Sequence, residues 1–450
     1  MQEIISPAEA SRLDRESSIP LADLMERAGA AVASTAIRMG MGYGSRVVVL
    51  AGVGNNGGDA YVAARYLRRR GVFVVVQTLG PPRTEEAKAA RASAKGARIR
   101  IEPLSAPTPA DLIIDGLFGG GFRSGLPAGV AEWIRMPARV LSIDIPSGVN
   151  PGNGSVEGDA FVAERTVTFD YLKTGHVLGA GPDHCGEVSV VPIGLGTARP
   201  ELLLTEEEDA PLPTRNRTAH KWNVGSVLIV GGAVGMTGAA TMAGKAALGF
   251  GAGSVGVATP EDASTTAAAQ APELLHYPLD SIPDRFGTLV IGPGLGADHD
   301  ALARKLIESW ERSLVVDADG LRLVSDRHQG ALVVTPHAGE FARMAGAEPS
   351  PAAAVELAKQ IKGVVVMKGN PTIVTDGGVP WVVNRGGPEL ATIGTGDVLA
   401  GMIGALLANG LDSLTAARSA SYWLGVAGSN LSATTTVTST GLIGEIGRLR

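Results

Sequence analysis

Short runs rich in Val and Ile alternate with longer helical segments along the whole chain, and this alternation leaves few possible folds. Runs of this length suit strands buried on both faces, and the helical segments between them supply the crossovers that parallel strands require. The runs in the first half are RVVVLA (46–51), VFVVVQ (72–77), DLIID (111–115), RVLSIDI (139–145) and EVSVVPI (187–193). The runs in the second half are SVLIVGG (226–232), SVGVAT (254–259), TLVIG (288–292), LVVDA (314–318), ALVVT (331–335) and GVVVMK (363–368). The pattern predicts the α/β fold class, with parallel sheets covered by helices on both faces.

The stretch 195–222 interrupts this pattern. It contains the acidic TEEED (205–209), then PLP (211–213), and then a polar segment. A charge cluster followed by prolines between two α/β patterns is typical of a linker, and 450 residues are enough for two separate cores. We therefore predict one domain over 1–205, a linker over 206–222 and a second domain over 223–450.

Composition excludes several classes of protein. The net charge of −6 and the lack of a basic tail disfavour nucleic acid as a partner. Cys185 is the only cysteine, so no internal disulfide can form, as is usual in a reducing cytosol. The first residues, MQEIISPAEASRLDRE, are too charged for a signal peptide, and no uncharged apolar stretch approaches the roughly 20 residues that span a bilayer. We expect a soluble, cytoplasmic protein that does not bind membranes.

The first predicted strand runs directly into the glycine-rich GVGNNGGDA (52–60). Gly52, Gly54 and Gly57 satisfy G-x-G-x-x-G, but the next strand ends near Gln77 without the acidic residue that a dinucleotide site requires. Glycines and the start of a helix would let the backbone approach a phosphate, and the neighbouring amides and carboxylate add polar groups. A tight turn with Asp59 as a helix cap is the structural alternative.

Two further strand ends carry similar loops. DGLFGGGFRSGLP (115–127) begins with Asp115, and SIDIPSGVN (142–150) contains Asp144. Because ligands bind beyond the carboxyl ends of parallel strands, we expect these loops to converge with the first one. Together they offer Asn56, Asp115 and Ser147 as oxygen donors, which hard cations prefer. Each aspartate taken singly is as consistent with a structural cap.

These three segments together resemble the NAD(P)H-hydrate epimerase domain over roughly residues 1–200, and FDYLKTGHVLGAG (169–181) is similar to a late segment of that domain. The resemblance implies a Rossmann-like three-layer αβα fold that binds a hydrated nicotinamide nucleotide. It implies a potassium ion held by Asn56, Asp115 and Ser147. The residues that it assigns to the hydrated nucleotide are Asn55, Asn56, Gly57, Gly58, Asp59, Gly119, Gly120, Gly121, Phe122, Arg123, Ser124, Gly125 and Asp144.

In the second half, Gly394-Thr395-Gly396-Asp397 opens an apolar helix predicted over 397–409. Glycines at a helix start form an anion hole, and an aspartate there can accept a proton from an alcohol that attacks a phosphoryl group. Plain capping, with Thr395 near the N-cap, is the alternative.

Other strand ends in this half supply polar partners. His337 in TPHAGE (335–340), considered alone, is best interpreted as an ordinary loop histidine. If it lies at the same sheet edge as Asp397, a contact with the ligand is the better interpretation. Lys368 in KGNPT (368–372) either pairs with a phosphate or extends from a strand end into solvent. The glycine-rich GGAVGMTGAA (231–240) and GPGLGAD (292–298) complete the set.

These motifs, in this order, resemble the ADP-dependent NAD(P)H-hydrate dehydratase of the ribokinase-like superfamily over roughly residues 215–450. The resemblance implies a second three-layer αβα domain. It assigns Ala239, Gly296, His337 and Asp397 to the hydrated nucleotide. It assigns Lys368, Gly369, Asn370, Pro371, Thr372 and Gly396 to the adenine nucleotide.

The combined resemblance implies an enzyme that repairs hydrated NADH and NADPH. The epimerase half interconverts the R and S hydrates, with Asp144 as the best candidate for proton transfer. The dehydratase half restores NAD(P)H from the S hydrate at the expense of ADP, giving AMP and phosphate, with Asp397 as the base and Mg²⁺ offsetting charge. The implied partners are small molecules, and the family forms homo-oligomers.

Two other functions are compatible with parts of the sequence. The first is a ribokinase-like small-alcohol kinase fused to an epimerase-like binding domain, against which the pair of IGPGLG and TPHAGE motifs argues. The second is a scaffold or RNA-associated binding module. It predicts loss of Asp144 or of the NNGGD turn, and both are intact here.

Overall fold

A computed structural model describes residues 1–214, 217, 218 and 224–450. The chain divides into two compact units, one comprising Gln2–Leu202 and the other Leu203–Arg450 together with Met1. Residues 215, 216 and 219–223, which belong to the predicted linker or to the first residue of the predicted second domain, lie outside the described residues. Within the described part of the chain, no helix is long and apolar enough to cross a membrane.

The N-terminal unit is built on a seven-stranded sheet in which all the strands are parallel. Its strands are β1 (Gln2–Ile5), β2 (Arg46–Ala51), β3 (Phe73–Thr78), β4 (Arg100–Pro103), β5 (Leu112–Gly116), β6 (Arg139–Ile143), β7 (Arg165–Phe169), β8 (Leu172–Lys173) and β9 (Glu187–Val191). Its helices are α1 (Pro7–Glu16), α2 (Leu21–Arg38), α3 (Asn55–Arg69), α4 (Glu85–Gly96), α5 (Val130–Ile134), α6 (Thr174–Val177) and α7 (Gly181–Cys185). The sheet order is β4-β3-β2-β5-β6-β7-β9, and β1 pairs separately with β8. The order reverses between β2 and β5, and a Rossmann-like sheet binds its ligand at that point.

Both faces of this sheet are buried, as the sequence pattern predicts. Val47 and Val49 of β2 pack into one apolar cluster with α2 and α3, whereas Val48 and Leu50 pack into a second cluster with Trp133. Successive side chains of a strand point to opposite faces, so a continuous apolar run is what two covered faces require.

The C-terminal unit contains a larger and mixed sheet. Its strands are β10 (Leu202–Leu204), which spans the boundary between the units, β11 (Ser226–Val230), β12 (Ser254–Thr259), β13 (Leu275–Pro278), β14 (Thr288–Ile291), β15 (Ser313–Val316), β16 (Leu332–Val334), β17 (Val364–Met367), β18 (Thr372–Thr375) and β19 (Trp381–Val383). Its helices are α8 (Thr237–Gly249), α9 (Glu261–Gln270), α10 (Asp300–Ser309), α11 (Ala338–Ala345), α12 (Pro351–Ile361), α13 (Thr395–Ala408), α14 (Ser413–Ser432) and α15 (Ser439–Leu449), with short 3₁₀ turns at Glu207–Asp209, Ala318–Leu323 and Pro388–Leu390. The order from β13 is β13-β12-β11-β14-β15-β16-β17-β18-β19-β10.

Only the pairs β17–β18 and β18–β19 in this order are antiparallel. The chain between β17 and β18 is too short for the crossover that a parallel pair needs, so it returns as a hairpin. The prediction of parallel strands therefore holds for the central strands and not for the pairs that involve β18. A short connection between two neighbouring strands forces them to run antiparallel.

The apolar helix α13 lies in the core of this unit, and its glycines let it approach its neighbours closely. A Cβ atom on Gly401 would lie 2.1 Å from the backbone oxygen of Ala243 in α8, and one on Gly404 would lie 2.6 Å from Val290 of β14. Neither position can carry a larger residue without moving the helix. This packing fixes the start of α13 at the carboxyl edge of the sheet.

The segment that follows the unit boundary packs against α14. The Trp423 indole N–H donates to the backbone oxygen of Ala210 at 2.8 Å, and the Arg418 Nε donates to that of Asp209 at 2.9 Å. The Arg418 guanidinium also lies 3.9 Å from the centre of the Trp381 ring. The first residues of the predicted linker are therefore held to α14 by one buried and one half-buried side chain.

Candidate active sites

The crevice at the switch point of the N-terminal sheet is formed by the turn between β2 and α3. The helix begins at Asn55, and a Cβ atom on Gly57 would lie 2.0 Å from the backbone oxygen of Gly52. Only glycine fits such a close approach. The N-cap is Gly54 and no side chain caps this helix, so Asp59 is not the capping residue that the structural alternative proposed.

A cavity of about 480 Å³ opens at this crevice. The predicted residues that line it are Asn55, Asn56, Asp59, Gly119, Gly120, Gly121, Phe122 and Asp144. Gly57 and Gly58 lie in the first turn of α3 and do not line the cavity, and Gly58 faces Met25. Arg123, Ser124 and Gly125 are exposed and do not line the cavity. The structure thus gathers most of the predicted set and leaves the end of the glycine loop outside the cavity.

Asp144 is held from several sides at the end of β6. Its Oδ2 accepts from the Gly120 N–H at 2.8 Å, and its Oδ1 lies 2.7 Å from the Lys173 ammonium and 3.1 Å from the Thr168 hydroxyl. Its backbone has φ of +68°, which is strained for a residue other than glycine. Burial raises the pKa of the Asp144 carboxyl, but the charge of Lys173 more than offsets this, so the pKa lies below its ordinary value. Asp144 is therefore ionised at neutral pH.

Lys173 and His176 form the support of Asp144. Lys173 is buried, and its Nζ also donates to the Thr168 hydroxyl at 2.7 Å. The Lys173 backbone N–H donates to His176 Nδ1 at 3.0 Å, and His176 Nε2 lies 2.7 Å from the backbone oxygen of Asp144. Burial and the Lys173 charge lower the pKa of His176 to about 4. The ring is therefore neutral, with its proton on Nε2, and it anchors the Asp144 backbone.

Asn56 and Ser147 both bond to the backbone of Phe118, and Ser147 links this point to Asp115. The Ser147 hydroxyl donates to the buried Asp115 carboxylate at 2.6 Å and accepts from the Phe118 N–H at 3.0 Å. The Asn56 amide donates to the Phe118 oxygen at 2.9 Å. No ion pair among the described residues includes Asp115. An amide, a carboxylate and a hydroxyl around a buried charge without a counter-ion fit a hard monovalent cation.

In the C-terminal unit, two glycine-rich loops meet at the ends of β11 and β14. The Gly232 N–H donates to the Pro293 oxygen at 2.9 Å, and the Ala233 N–H donates to the Gly294 oxygen at 2.7 Å. A Cβ atom on Gly294 would lie 3.1 Å from that of Ala239 at the start of α8. The loops are thus locked together and bring Ala239 to the GPGLG turn.

Gly296, at the end of that turn, is held by the 3₁₀ turn after β15. Its N–H donates to the Asp319 carboxylate at 2.9 Å, and its oxygen accepts from Arg322 at 2.9 Å. Its φ of +72° suits glycine. Both backbone groups of Gly296 are therefore occupied by side chains of the same turn.

His337 is exposed and is the N-cap of α11. Its Nδ1 accepts from the Gly339 N–H at 3.1 Å, and the Glu340 carboxylate accepts from the His337 N–H at 2.8 Å. This reciprocal capping is a structural role, and it leaves the outer edge of the ring exposed.

The start of α13 lies against a buried ion pair. The Lys368 ammonium is 2.8 Å from Asp317 Oδ1, which also accepts from the Thr335 hydroxyl at 2.7 Å. A Cβ atom on Gly396 would lie 3.2 Å from the Lys368 Nζ and 3.7 Å from Asp317 Oδ2. Lys368, Gly369, Asn370 and Pro371 connect β17 to β18, and the Thr372 hydroxyl donates to the Gly369 oxygen at 3.1 Å.

Asp397 is the third residue of α13, which begins at Thr395, two residues earlier than predicted, with Gly394 as its N-cap. Burial and the nearby Asp317 raise the pKa of Asp397 to about 7, although Lys368 opposes the shift. A carboxyl group with such a pKa can accept a proton near neutrality, which suits a general base.

Comparisons with known proteins find relatives of both halves of the chain. Residues 21–175 match the family described as YjeF-related protein N-terminus, and residues 227–448 match the NAD(P)H-hydrate dehydratase family. A bifunctional NAD(P)H-hydrate repair enzyme of Mycobacterium tuberculosis is 38% identical over 92% of this chain and 89% of its own length. The chain belongs to the family of bifunctional NAD(P)H-hydrate repair enzymes. A relative of the same name from Pyrobaculum aerophilum is 35% identical over 92% of this chain and 90% of its own length.

The C-terminal unit of this repair enzyme also resembles solved structures. An ADP/ATP-dependent NAD(P)H-hydrate dehydratase from Bacillus subtilis, co-crystallised with ATP and Mg²⁺, is 28% identical. It covers 55% of this chain and 97% of its own, with a TM-score of 0.51. The family and the fold predicted from the sequence are confirmed, and a small-alcohol kinase fused to a binding domain is not favoured.

Three residues at the two sites of the repair enzyme were not singled out from the sequence. Lys173 stands in the segment 169–181, which was noted only for its resemblance, and Asp317 and Thr335 end predicted strands. Their position in the sequence could have identified them, because a charged or polar residue at the end of a buried strand lies at the ligand edge of a parallel sheet.

Proposed function

We propose that the N-terminal unit interconverts the R and S hydrates of NADH and NADPH and that the C-terminal unit dehydrates the S form with ADP, giving AMP and phosphate. The observation that carries this proposal is that each unit holds a carboxyl group suited to proton transfer at the ligand edge of its sheet. Asp144 is kept ionised beside Lys173, and Asp397 has a pKa of about 7 beside Lys368.

The direct test is to incubate the full chain with hydrated NADH and either ADP or ATP. Recovery of the absorbance of the intact dihydronicotinamide reports repair, and comparison of the two nucleotides identifies the co-substrate. A stable phosphate ester in place of NADH would contradict the dehydratase assignment.

In the proposed dehydration, Asp397 takes the proton of the C6 hydroxyl as its oxygen attacks the terminal phosphate of ADP, and AMP leaves. Phosphate then departs from C6, and loss of a proton from C5 restores the ring double bond. Lys368 and the first N–H groups of α13 would hold the phosphates, since a helix start attracts anions. When Mg²⁺ is bound to the nucleotide, it offsets the negative charge of the phosphates. Ala239, Gly296 and His337 would contact the hydrated nucleotide. The segment from Lys368 to Thr372, together with Gly396, would contact the adenine nucleotide.

In the proposed epimerisation, Asp144 exchanges a proton with the reacting centre of the hydrate. Its strained backbone and fixed carboxylate keep it in one orientation at the cavity. The NNGGD turn and the glycine loop from Gly119 would surround the nucleotide.

We also propose that the protein resides in the cytoplasm and assembles into homo-oligomers. Light scattering of the purified chain tests the assembly.

The potassium site makes a separate prediction. Asn56, Asp115 and Ser147 would hold the ion, which when bound would neutralise Asp115 and attract the phosphates of the substrate. Asp115→Asn removes the only charged ligand, so we expect potassium to cease raising both the melting temperature and the affinity for hydrated nucleotide.

The control for this prediction is Asp111→Asn, which alters an exposed carboxylate just before the opposite end of β5. This variant should respond to potassium as the unaltered chain does, and sodium should replace potassium poorly in both. Crystals grown in potassium that show no ion between the three side chains would refute the assignment.

The division of labour predicts the behaviour of fragments. Residues 203–450 should fold and dehydrate S hydrate, leaving R hydrate to convert at its spontaneous rate. A fragment of residues 215–450 should melt on the order of 5 °C lower, because Trp423 and Arg418 lose the oxygens of Ala210 and Asp209. Rapid consumption of both hydrates by the 203–450 fragment would contradict the proposal.

A further inference from the structure

Asp59 is a buried carboxyl group of the epimerase cavity that has no bonded partner in the described part of the chain. The residue is 9% exposed and lines the cavity formed by the N-terminal unit. Among the described residues, no hydrogen bond or ion pair involves its carboxyl oxygens. A carboxylate in such surroundings would be poorly solvated and would have no bonded counter-charge, which favours the neutral acid.

The charged groups around the cavity strengthen this conclusion. Besides Asp59, the titratable or charged side chains that line it are Asp14, Arg83, Asp144 and Lys173. The buried cation, Lys173, is already paired with Asp144. Burial first, and then the negative charges of Asp144 and Asp14, raise the pKa of Asp59 well above its ordinary value.

The surroundings thus favour opposite protonation states for these two carboxyl groups of the cavity. Asp144 accepts a hydrogen bond from Gly120 and pairs with Lys173, which stabilises its ionised form. Asp59 receives no such support. Two carboxyl groups whose surroundings separate their protonation states are the usual arrangement of an acid and a base in one active site.

We propose that Asp59 is the proton donor of the epimerase reaction and that Asp144 is the proton acceptor. The proposal rests on the epimerase function proposed above. It assigns Asp59 a catalytic role, beyond contact with the nucleotide.

The step balances without any further reagent. The hydrate carries its hydroxyl on C6, which is bonded to the ring nitrogen N1. Asp144 takes the hydroxyl proton, the C6–O bond becomes a carbonyl, and the C6–N1 bond breaks with its electron pair moving to N1. Asp59 gives its proton to N1. Rotation about the C5–C6 bond then presents the other face of the carbonyl carbon, and the reverse transfers close the ring and restore both carboxyl groups.

The test follows conversion of purified R hydrate to S hydrate by the full chain without ADP. Asp59→Asn keeps the size of the side chain and removes its acidic proton. We expect the epimerase kcat to fall on the order of 10²–10⁴-fold, the range for loss of a positioned acid, while the affinity for hydrated nucleotide changes little. Asp59→Glu should restore part of the rate. Asp23→Asn, an exposed acid on α2, is the control and should keep the full rate.

An Asp59→Asn variant that keeps more than about a tenth of the rate would overturn the assignment. If that variant does not fold, the pH profile of the unaltered enzyme decides. Its epimerase kcat should fall with rising pH as Asp59 loses its proton, and a rate that does not fall anywhere in the alkaline range in which the chain stays folded would overturn the proposal. If the unaltered chain does not interconvert the hydrates at all, the epimerase function itself fails, which is a distinct outcome.

Discussion

Replacing Asp397 with asparagine is expected to lower the rate of ADP-driven dehydration on the order of 10²–10⁴-fold and to leave epimerisation unchanged. The carboxyl group lies in the first turn of α13, next to the Lys368–Asp317 pair, and its pKa of about 7 suits a base. Asparagine occupies the same space but cannot take the proton. The melting temperature should stay near normal, because Asp397 makes no capping hydrogen bond and its interaction with the helix dipole stabilises by only about 0.3–1 kcal/mol.

The pH dependence provides a second measure of the same residue. A base acts in its ionised form, so the dehydratase rate of the unaltered chain should rise as the pH increases through about 7 and then level off. The Asp397→Asn variant should lose this rise. Asp412→Asn is the matched control, since Asp412 caps α14 through the Thr415 N–H at 2.9 Å and asparagine caps equally well. If Asp397→Asn keeps more than about a tenth of the rate, the base lies elsewhere.

Replacing Lys173 with methionine is expected to have the largest effect on the stability of the N-terminal unit. The substitution leaves the largely buried Asp144 carboxylate without its buried counter-ion, and breaking a buried pair in this way typically costs about 3–5 kcal/mol of unfolding free energy. Asp144 would also tend to be protonated, so epimerase activity should be lost even where the unit is folded. Denaturant unfolding of the full chain and the epimerase assay measure the two effects.

The pKa of Asp144 decides how the loss of stability caused by Lys173→Met depends on pH. The pKa of Asp144 is lowered in the folded protein, so the pair stabilises above the ordinary aspartate pKa of about 3.9 and loses this contribution as the pH falls through the folded value. The difference between the variant and the unaltered chain should therefore shrink in acid. Lys88→Met is the control, because it breaks an exposed pair with Glu85 that contributes about 0–1 kcal/mol. Equal stability of the two variants would contradict the role of Lys173.

Much of the fold was predictable because its signals are local. Each of the predicted Val- and Ile-rich runs contains a strand, including β2 at Arg46–Ala51 and β17 at Val364–Met367. The glycine-rich turns follow these strands where predicted. A position such as Gly57 has no room for a side chain because the adjacent backbone is too close, and this limit does not depend on the rest of the unit. The carboxyl ends of parallel strands lie at one edge of a sheet, so residues such as Asp144 and Asp397 could be placed at ligand edges without coordinates.

The sequence by itself therefore determined the α/β class, the order of the strand-end motifs and the family to which they point. Only the tertiary structure decided which side chains pair. Lys173 on the short strand β8 reaches Asp144 and Lys368 reaches Asp317, whereas no described residue pairs with the Asp59 carboxyl group. The physical reason is that turns and strands depend on neighbours along the chain, whereas the protonation of a carboxyl group depends on burial and on charges brought near it through space. Four aspartates in similar glycine-rich surroundings therefore look alike in the sequence. In the structure, Lys173 lowers the pKa of Asp144, burial raises the pKa of Asp59, burial raises the pKa of Asp397 to about 7, and Asp115 accepts a hydrogen bond from Ser147.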